Sequence, residues 1–507
     1  MATDNNVQDG ISIGSDATLT LTNSIFSNNA GDGIDLNGNS STVTLNDVTS
    51  TNNVEEGFEI DGTDNNVTIR NSTLSNSRTE DGFDIDATGM GNEVSLSNTT
   101  LSGNANDGFD ILGSDNTITF DGVTSTNNGE EGFEIDGTDN VVSISNSTFS
   151  NSRTEDGFDI DATATGNEVS LSNTTLSGNA NDGFDLLGSD NTITFDGVTS
   201  TDNGEEGFEI DGSNNNVTIR NSTLSNSQTE DGFDIDASAT GNEVSLSNTT
   251  LSGNANDGFD LLGSDNTVTF DGVTSTDNGE EGFEIDGTDN NVTIRNSTLS
   301  DSQTEDGFDI DASATGNEVS LSNTTLSGNA NDGFDILGSD NTVTFDGVTS
   351  TNNGEEGFEI DGTDNIISIS DSTFSNNMGD GFELDSTAND NTVFLFDSMF
   401  SNNADDGIEI SSDDNVIGLF QVGLIDNADN GLEIGGDNNI ITISDSMFSG
   451  NSGEAILIEG NNNTITIIDS MFSSNGSQLI IDMGIGNIVT ALNNTGLDAI
   501  APISDLA

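Results

Sequence analysis

The sequence predicts an all-β solenoid of about 20 turns, each of 23–26 residues and three short strands. Three patterns predict it. A motif of acid, Gly, apolar, acid, apolar, seen in Glu131-Gly132-Phe133-Glu134-Ile135-Asp136, returns from Gly10 to Gly431 at intervals of 23 to 26 residues, a period that belongs to stacked repeats. Within the motif Phe133 and Ile135 alternate with Glu134 and Asp136, the period-2 signature of a strand with one buried face. Finally, an Asn stands two residues before the first apolar residue of each second strand, as at Asn65, Asn92, Asn116, Asn140 and Asn167. Asn tolerates left-handed backbone and, stacked in register, passes amide hydrogen bonds from turn to turn.

The elements follow in order. Phe133 and Ile135 define a first strand, Val142 and Ile144 a second, and Thr148 and Phe149 a third, joined by turns rich in Asn, Asp, Gly and Ser. Residues 1–56 hold an N-terminal cap and the first turns, with Ile11 and Ile34 in place of Phe. Residues 57–357 form the most regular part, where Gly108, Gly183, Gly258 and Gly333 mark a three-turn super-repeat of 75 residues. Residues 358–490 hold degenerate, more apolar turns such as Val393-Phe394-Leu395-Phe396, and Leu479-Ile480-Ile481-Asp482 reads as the last copy of the motif. Residues 491–507 are expected to cap the C-terminal end.

Composition narrows the partners. Ninety-one acids against 5 Arg and no Lys or His give a net charge of −86, so nucleic acid and anionic membrane are excluded as partners. Cations and cationic surfaces remain. There is no Cys, so stacking alone must hold the fold. Met1-Ala2-Thr3-Asp4 shows no basic or apolar leader, and no stretch is apolar enough for membrane insertion by a helix. An extracellular or cell-surface location is expected, by a route not evident in the residues.

With the Gly-Phe/Ile-acid-Ile/Leu strand, three strands per turn and the Asn ladder in place, residues 7–490 resemble the right-handed parallel β-helix of the pectate-lyase-like superfamily. The resemblance implies a single-stranded right-handed coil, as does the general crossover rule. It also implies Ca²⁺ with a basic residue in lyases and close Asp pairs in hydrolases. Here the arginines lie singly, Arg70, Arg220 and Arg295 on second strands and Arg78 and Arg153 in turns.

The carboxylates are read as two outward columns. Glu59, Asp84, Asp110, Glu134, Asp159, Glu209, Asp234, Glu284 and Asp309 share one position, and Asp61, Asp86, Asp136, Asp161, Asp211, Asp236, Asp286 and Asp311 the other. Charges one strand apart repel by about 1 kcal/mol even in bulk water, so the columns are expected to need divalent cations, with Ca²⁺ the expected ligand because its coordination shell is all oxygen. A site repeated in every turn reads as a surface, not a catalytic centre. The resulting expectation is a non-enzymatic structural or adhesive protein that self-assembles into filaments or matrix. The alternative is a polysaccharide-binding or polysaccharide-cleaving β-helix. Leu112, Leu187, Leu262 and Leu337 interrupt the second column in every third turn. They are exposed if the alternation is strict and buried if the strand is irregular there.

Overall fold

The computed structural model describes residues 1–497 and 499–502. It comprises two compact units, Met1–Ala255 and Asn256–Ala507. In the first unit the second strands Asn66–Arg70, Glu93–Ser97, Thr117–Asp121 and Val141–Ser145 pair in parallel, with Val67, Val94, Ile118 and Val142 in file. The third strands Thr73–Ser75, Thr100–Ser102 and Thr124–Thr126 stack likewise. The first strands Phe58–Ile60, Phe83–Ile85 and Phe109–Ile111 form a separate parallel sheet. The second unit winds the same way, its second strands running from Asn291–Arg295 through Glu318–Ser322 and Thr342–Asp346 to Ile488–Leu492. All-β parallel winding with three strands per turn is therefore the fold class.

Corners explain the polar turns. Asp64, Asn71 and Asn76 have φ of 55°, 50° and 58°, and Gly91, Asn98 and Gly103 occupy the same three corners of the next turn at 67°, 46° and 69°. Left-handed backbone excludes most L-residues, which is why Asn, Asp and Gly recur there.

Phenylalanine fills the centre. Phe58 and Phe83 stack at 4.8 Å between ring centroids with 1° between planes, and Phe83 and Phe109 follow at 4.6 Å. In the second unit Phe283 and Phe308 stack at 4.8 Å and 2°. The turns of the 75-residue super-repeat fill the core differently: Phe120 on a second strand accompanies Ser125 on the third, whereas Ile144 on a second strand accompanies Phe149 on the third, a place taken by Leu74, Leu224 and Leu299 in the equivalent turns. Ser125 then donates to the Gly132 carbonyl at 2.8 Å. A Cβ at Gly108 would lie 2.5 Å from the Gly132 oxygen, so backbone crowding fixes Gly in the motif.

The Asn ladder is present, and its wiring is more specific than amide to amide. Asn116 Oδ1 accepts from the Asn92 backbone N–H at 2.8 Å, while Asn116 Nδ2 donates to the Gly89 carbonyl at 3.0 Å. Each side chain thus satisfies two backbone groups of the turn before it. A second ladder, which the spacing did not reveal, passes Asn104 N–H to Asn128 Oδ1 at 3.2 Å and Asn128 Nδ2 to Ser125 Oγ at 2.8 Å.

The regular pattern changes at Phe358. Residues 358–360, expected to repeat the first strand, carry no strand pairing, and Phe334–Phe358 and Phe358–Phe382 meet edge-on at 77° and 81°. Beyond this point the first-strand sheet resumes at Phe382–Leu384. Strand Ser477–Asp482 is followed in the same sheet by one more, Ala499–Pro502, which pairs with it in parallel without carrying the motif. The expected C-terminal cap lies in part outside the described residues. At the other end Ala2–Asp4 adds in parallel to Ile25–Ser27. Leu112 and Leu337 are exposed and Leu187 and Leu262 half-buried.

Replacing Asn116 with Ala would orphan the buried Asn92 N–H and the Gly89 carbonyl. At about 1–3 kcal/mol for each orphaned group, chemical denaturation should register a loss of roughly 2–6 kcal/mol. A loss below about 0.5 kcal/mol would mean that the ladder contributes little.

Candidate functional site

The carboxylates do not form the solvated face that alternation predicts. Asp84, Asp110, Asp159, Asp234 and Asp309 are buried, and Glu59, Glu134, Glu209 and Glu284 half-buried. Their neighbours Asp61, Asp86, Asp136, Asp161, Asp211, Asp236, Asp286 and Asp311 are half-buried too. The side chains point away from the Phe core, yet they lie beneath a third acidic column that sequence reasoning missed. It consists of the acid just before each motif Gly, including Asp32, Glu56, Asp81, Asp107, Glu131, Asp156 and Asp182. That acid was visible in the motif, but the period-2 reading began at Phe and left it in the turn.

The third column is built into the coil. Asp81 Oδ1 accepts the Asp107 backbone N–H at 2.7 Å, and Asp107 Oδ1 accepts that of Glu131 at 2.7 Å. Asp156 receives Asp182 at 2.6 Å in the same way. Together the columns make a carboxylate shelf beside the first strands. Oxygens of Asp81, Asp107 and Asp110 lie within 4.8 Å of one another, as do those of Glu59, Asp84 and Asp86 and those of Asp35, Glu59 and Asp61.

Crowding favours the neutral forms. Burial, then the charges of Asp81 and Asp84 respectively, push Asp84 and Asp110 well above the usual carboxylate range. Burial and Glu131 raise Glu134 to about 8, and burial and Asp156 raise Asp185 to about 9. Asp156 and Asp306 rise to about 7, chiefly by burial. Arginine does not relieve the shelf: Arg220 pairs with Asp196 and Arg295 with Asp271, each at 3.2 Å, across second strands. Hydrogen bonds from Asn221 and Arg220 lower the Asp196 carboxyl.

A second feature lies on second strands of the other unit. In Thr392–Phe396, Val393 and Leu395 face the core, so Phe394 and Phe396 point outward, and Phe396 is 37% exposed. Phe396 is in register with Phe420 and stacks on it at 5.3 Å and 15°. Phe394 lies 6.4 Å from Phe396. Gly418, in register with Phe394, makes room for the rings: a Cβ there would stand 2.5 Å from Phe420 Cε2 and 2.8 Å from Phe394 Cδ1. The residues that follow Phe396 and Phe420, Asp397 and Gln421, line a cavity together with Met399, Gly423, Asp445 and Met447, among others. The sequence shows the Val-Phe-Leu-Phe run but not which Phe face outward.

The sequence model described as "Right handed beta helix region" matches residues 2–98, 81–246, 231–394 and 315–495. No curated protein matches the chain. Similar solved structures include a pectate lyase, Pel9A, at 20% identity over 52% of this chain and 70% of that one, with a TM-score of 0.32. A periplasmic alginate epimerase, AlgG, is 10% identical over 70% of this chain and 78% of that one, TM-score 0.26. A GH87 alpha-1,3-glucanase from Streptomyces thermodiastaticus is 13% identical over 67% and 65%, TM-score 0.34. The expectation of a non-enzyme is corrected here, because these three are a lyase, an epimerase and a glucanase. Among the described residues no helix is long and apolar enough to cross a membrane.

The raised acids set a pH dependence. A carboxyl whose folded pKa lies above its unfolded value stabilises the fold fully below the unfolded value, and that contribution is lost as pH climbs through the folded one. For Asp156, Asp306, Glu134 and Asp185 that loss begins above the ordinary values of 3.8 and 4.5 and is complete only past folded values of about 7 to about 9. Thermal unfolding by circular dichroism, at constant ionic strength without divalent cations, should give a Tm that falls from about pH 5 to about pH 9. A Tm that holds or rises over this range would refute the assignment.

Proposed function

The chain belongs to the right-handed β-helix family, and from that premise we propose that it is a polysaccharide-active protein working outside the cytoplasm on neutral glycans. The observation that carries this reading is the outward platform of Phe394, Phe396 and Phe420, whose rings are followed directly in the chain by Asp397 and Gln421 of a cavity edged by carboxylates and an amide. Aromatic faces stack on the apolar faces of sugar rings. The rim supplies the polar complement: Gln421 can donate and accept, and Asp397 and Asp445 accept from hydroxyls.

Charge selects the substrate class. A chain of net charge −86 repels uronate polymers unless cations intervene, whereas a neutral glycan meets no such barrier. Asp397, Gln421 and Asp445 occupy equivalent corners of three successive turns, their N–H groups donating to Phe420, Ser444 and Ile468 carbonyls. Two strand spacings of about 4.8 Å separate the two Asp backbones by about 9.5 Å. Inverting glycosidases hold their two carboxyl groups roughly 6.5–9.5 Å apart, a span within reach of side chains rising from backbones so spaced, which makes Asp397 and Asp445 the candidate pair. In this reading the filament or matrix role expected from the sequence gives way to the polysaccharide alternative, because an aromatic platform suits a sugar ring better than a strand edge does.

The test is affinity electrophoresis and calorimetry against neutral glucans, pectate and alginate. The unmodified chain should bind a neutral glucan, and Phe396→Ala and Phe420→Ala should each weaken binding about tenfold, the equivalent of about 1.4 kcal/mol. Release of reducing ends should vanish in Asp397→Asn and Asp445→Asn while glucan binding persists. Neutral glucan binding that survives loss of both rings would remove the platform from the argument.

A further inference from the structure

The shelf in the first unit presents an unmet need that the platform does not touch. The side chains of Asp84 and Asp110 are 5% and 6% exposed, and in each the Oδ1 atom is shielded from solvent and has no hydrogen-bond partner. Asp35 Oδ1 is in the same position. Each of these residues belongs to a trio that brings one carboxylate oxygen apiece within 4.8 Å of the others: Asp35 with Glu59 and Asp61, Asp84 with Glu59 and Asp86, and Asp110 with Asp81 and Asp107. A buried acceptor without a donor is costly, and one facing two further acids is costlier still. The contrast with the adjoining column is informative, since Asp81 and Asp107 each receive a backbone N–H from the next turn and Asp84 and Asp110 do not. The coil satisfies one column and leaves the other facing a gap between carboxylates.

We propose that these trios are calcium sites, with Asp81, Asp107 and Asp110 enclosing one ion, Glu59, Asp84 and Asp86 a second, and Asp35, Glu59 and Asp61 a third that shares Glu59 with its neighbour. The donor set is all carboxylate oxygen, which suits a hard cation, and without His or Cys in the chain it does not suit zinc or copper. Calcium holds oxygens at about 2.3–2.6 Å, so one ion centred in a trio touches all three ligands. Magnesium keeps several waters and demands an octahedron. A trio whose members Asp81, Asp107 and Asp110 are 7%, 3% and 6% exposed leaves little room for them. Glu59 as a shared ligand ties one ion to the next, so the sites form a row that follows the coil.

The competing way to quiet the same oxygens is protonation, and the experiment separates the two. The full chain, stripped with EDTA, is titrated with CaCl₂ and separately with MgCl₂ by calorimetry at about 0.15 M KCl, where the Debye length is about 8 Å. The titrations are repeated with the Asp84→Asn/Asp107→Asn/Asp110→Asn variant and with an exposed control, Asp121→Asn. Saturable calcium uptake is expected, weaker for magnesium, with a raised Tm; the triple variant should bind at least one ion fewer and the control as many as the parent. In EDTA the triple variant should melt no lower than the parent, because like charges have been removed, which shows that it still folds. Calcium isotherms that are the same for parent, control and triple variant would overturn the proposal, leaving an ion atmosphere only. The readout is independent of glycan binding, so either reading can fail alone.

Discussion

Every feature of this molecule depends on one constraint, the in-register parallel pairing that sets each residue directly above its counterpart one turn away. Whatever a position carries, it repeats at a strand spacing along the coil. For Phe83 and Phe109 that repetition is favourable, since flat rings stack at 4.6 Å and exclude water. For Asn92 and Asn116 it is self-satisfying, because an amide both donates and accepts and so serves the backbone beside it. For carboxylates it is adverse. An ionised acid only accepts, and the group above it does the same.

The coil meets this frustration unevenly. Asp107 turns an oxygen toward the N–H of Glu131, so its column repeats an acceptor against a donor, much as the Asn ladder does. Asp110, three residues on and in the strand, finds its neighbouring N–H groups already committed to strand pairing and has none to spare for Oδ1. Every third turn carries the longer Glu134 in this column, and that side chain reaches a half-buried position where Asp110 does not. Side-chain length thus modulates how deeply charge is held, in step with the 75-residue super-repeat.

Period and alternation made the fold legible, because stacking converts a linear spacing into a contact directly. Phe133 and Asn116 could each be placed from the residues alone. The depth of the acids could not. Alternation tells which face Asp84 is on but not what crowds it there: Asp81 and its equivalents recur just before the motif Gly, outside the stretch that alternates. The outward rings were hidden for the opposite reason: in Val393-Phe394-Leu395-Phe396 both faces are apolar, so period 2 has no contrast to read. The break at Phe358 falls where the sequence passes from regular to degenerate turns, but its form was hidden, since the motif there is intact and only the lost strand pairing and the edge-on rings betray the change.

Regularity and uniqueness pull against each other in such a coil. Near-identical turns make near-identical surroundings, so a surface built from them can hold a row of like ligands but cannot single out one place along itself. A single place requires a turn that differs from its neighbours on the outward face while keeping the inward one. Residues 392–420 do this: Val393, Leu395, Ile417 and Leu419 keep the core in register, while Phe394, Phe396 and Phe420 replace the small polar residues found outward elsewhere, such as Ser320 and Ser322. Gly418 completes the exception, since any side chain there would collide with two of the rings. Degeneracy in this stretch therefore reads as specialisation: the inward pattern is preserved where the fold needs it, and the outward pattern departs where a distinct surface is made.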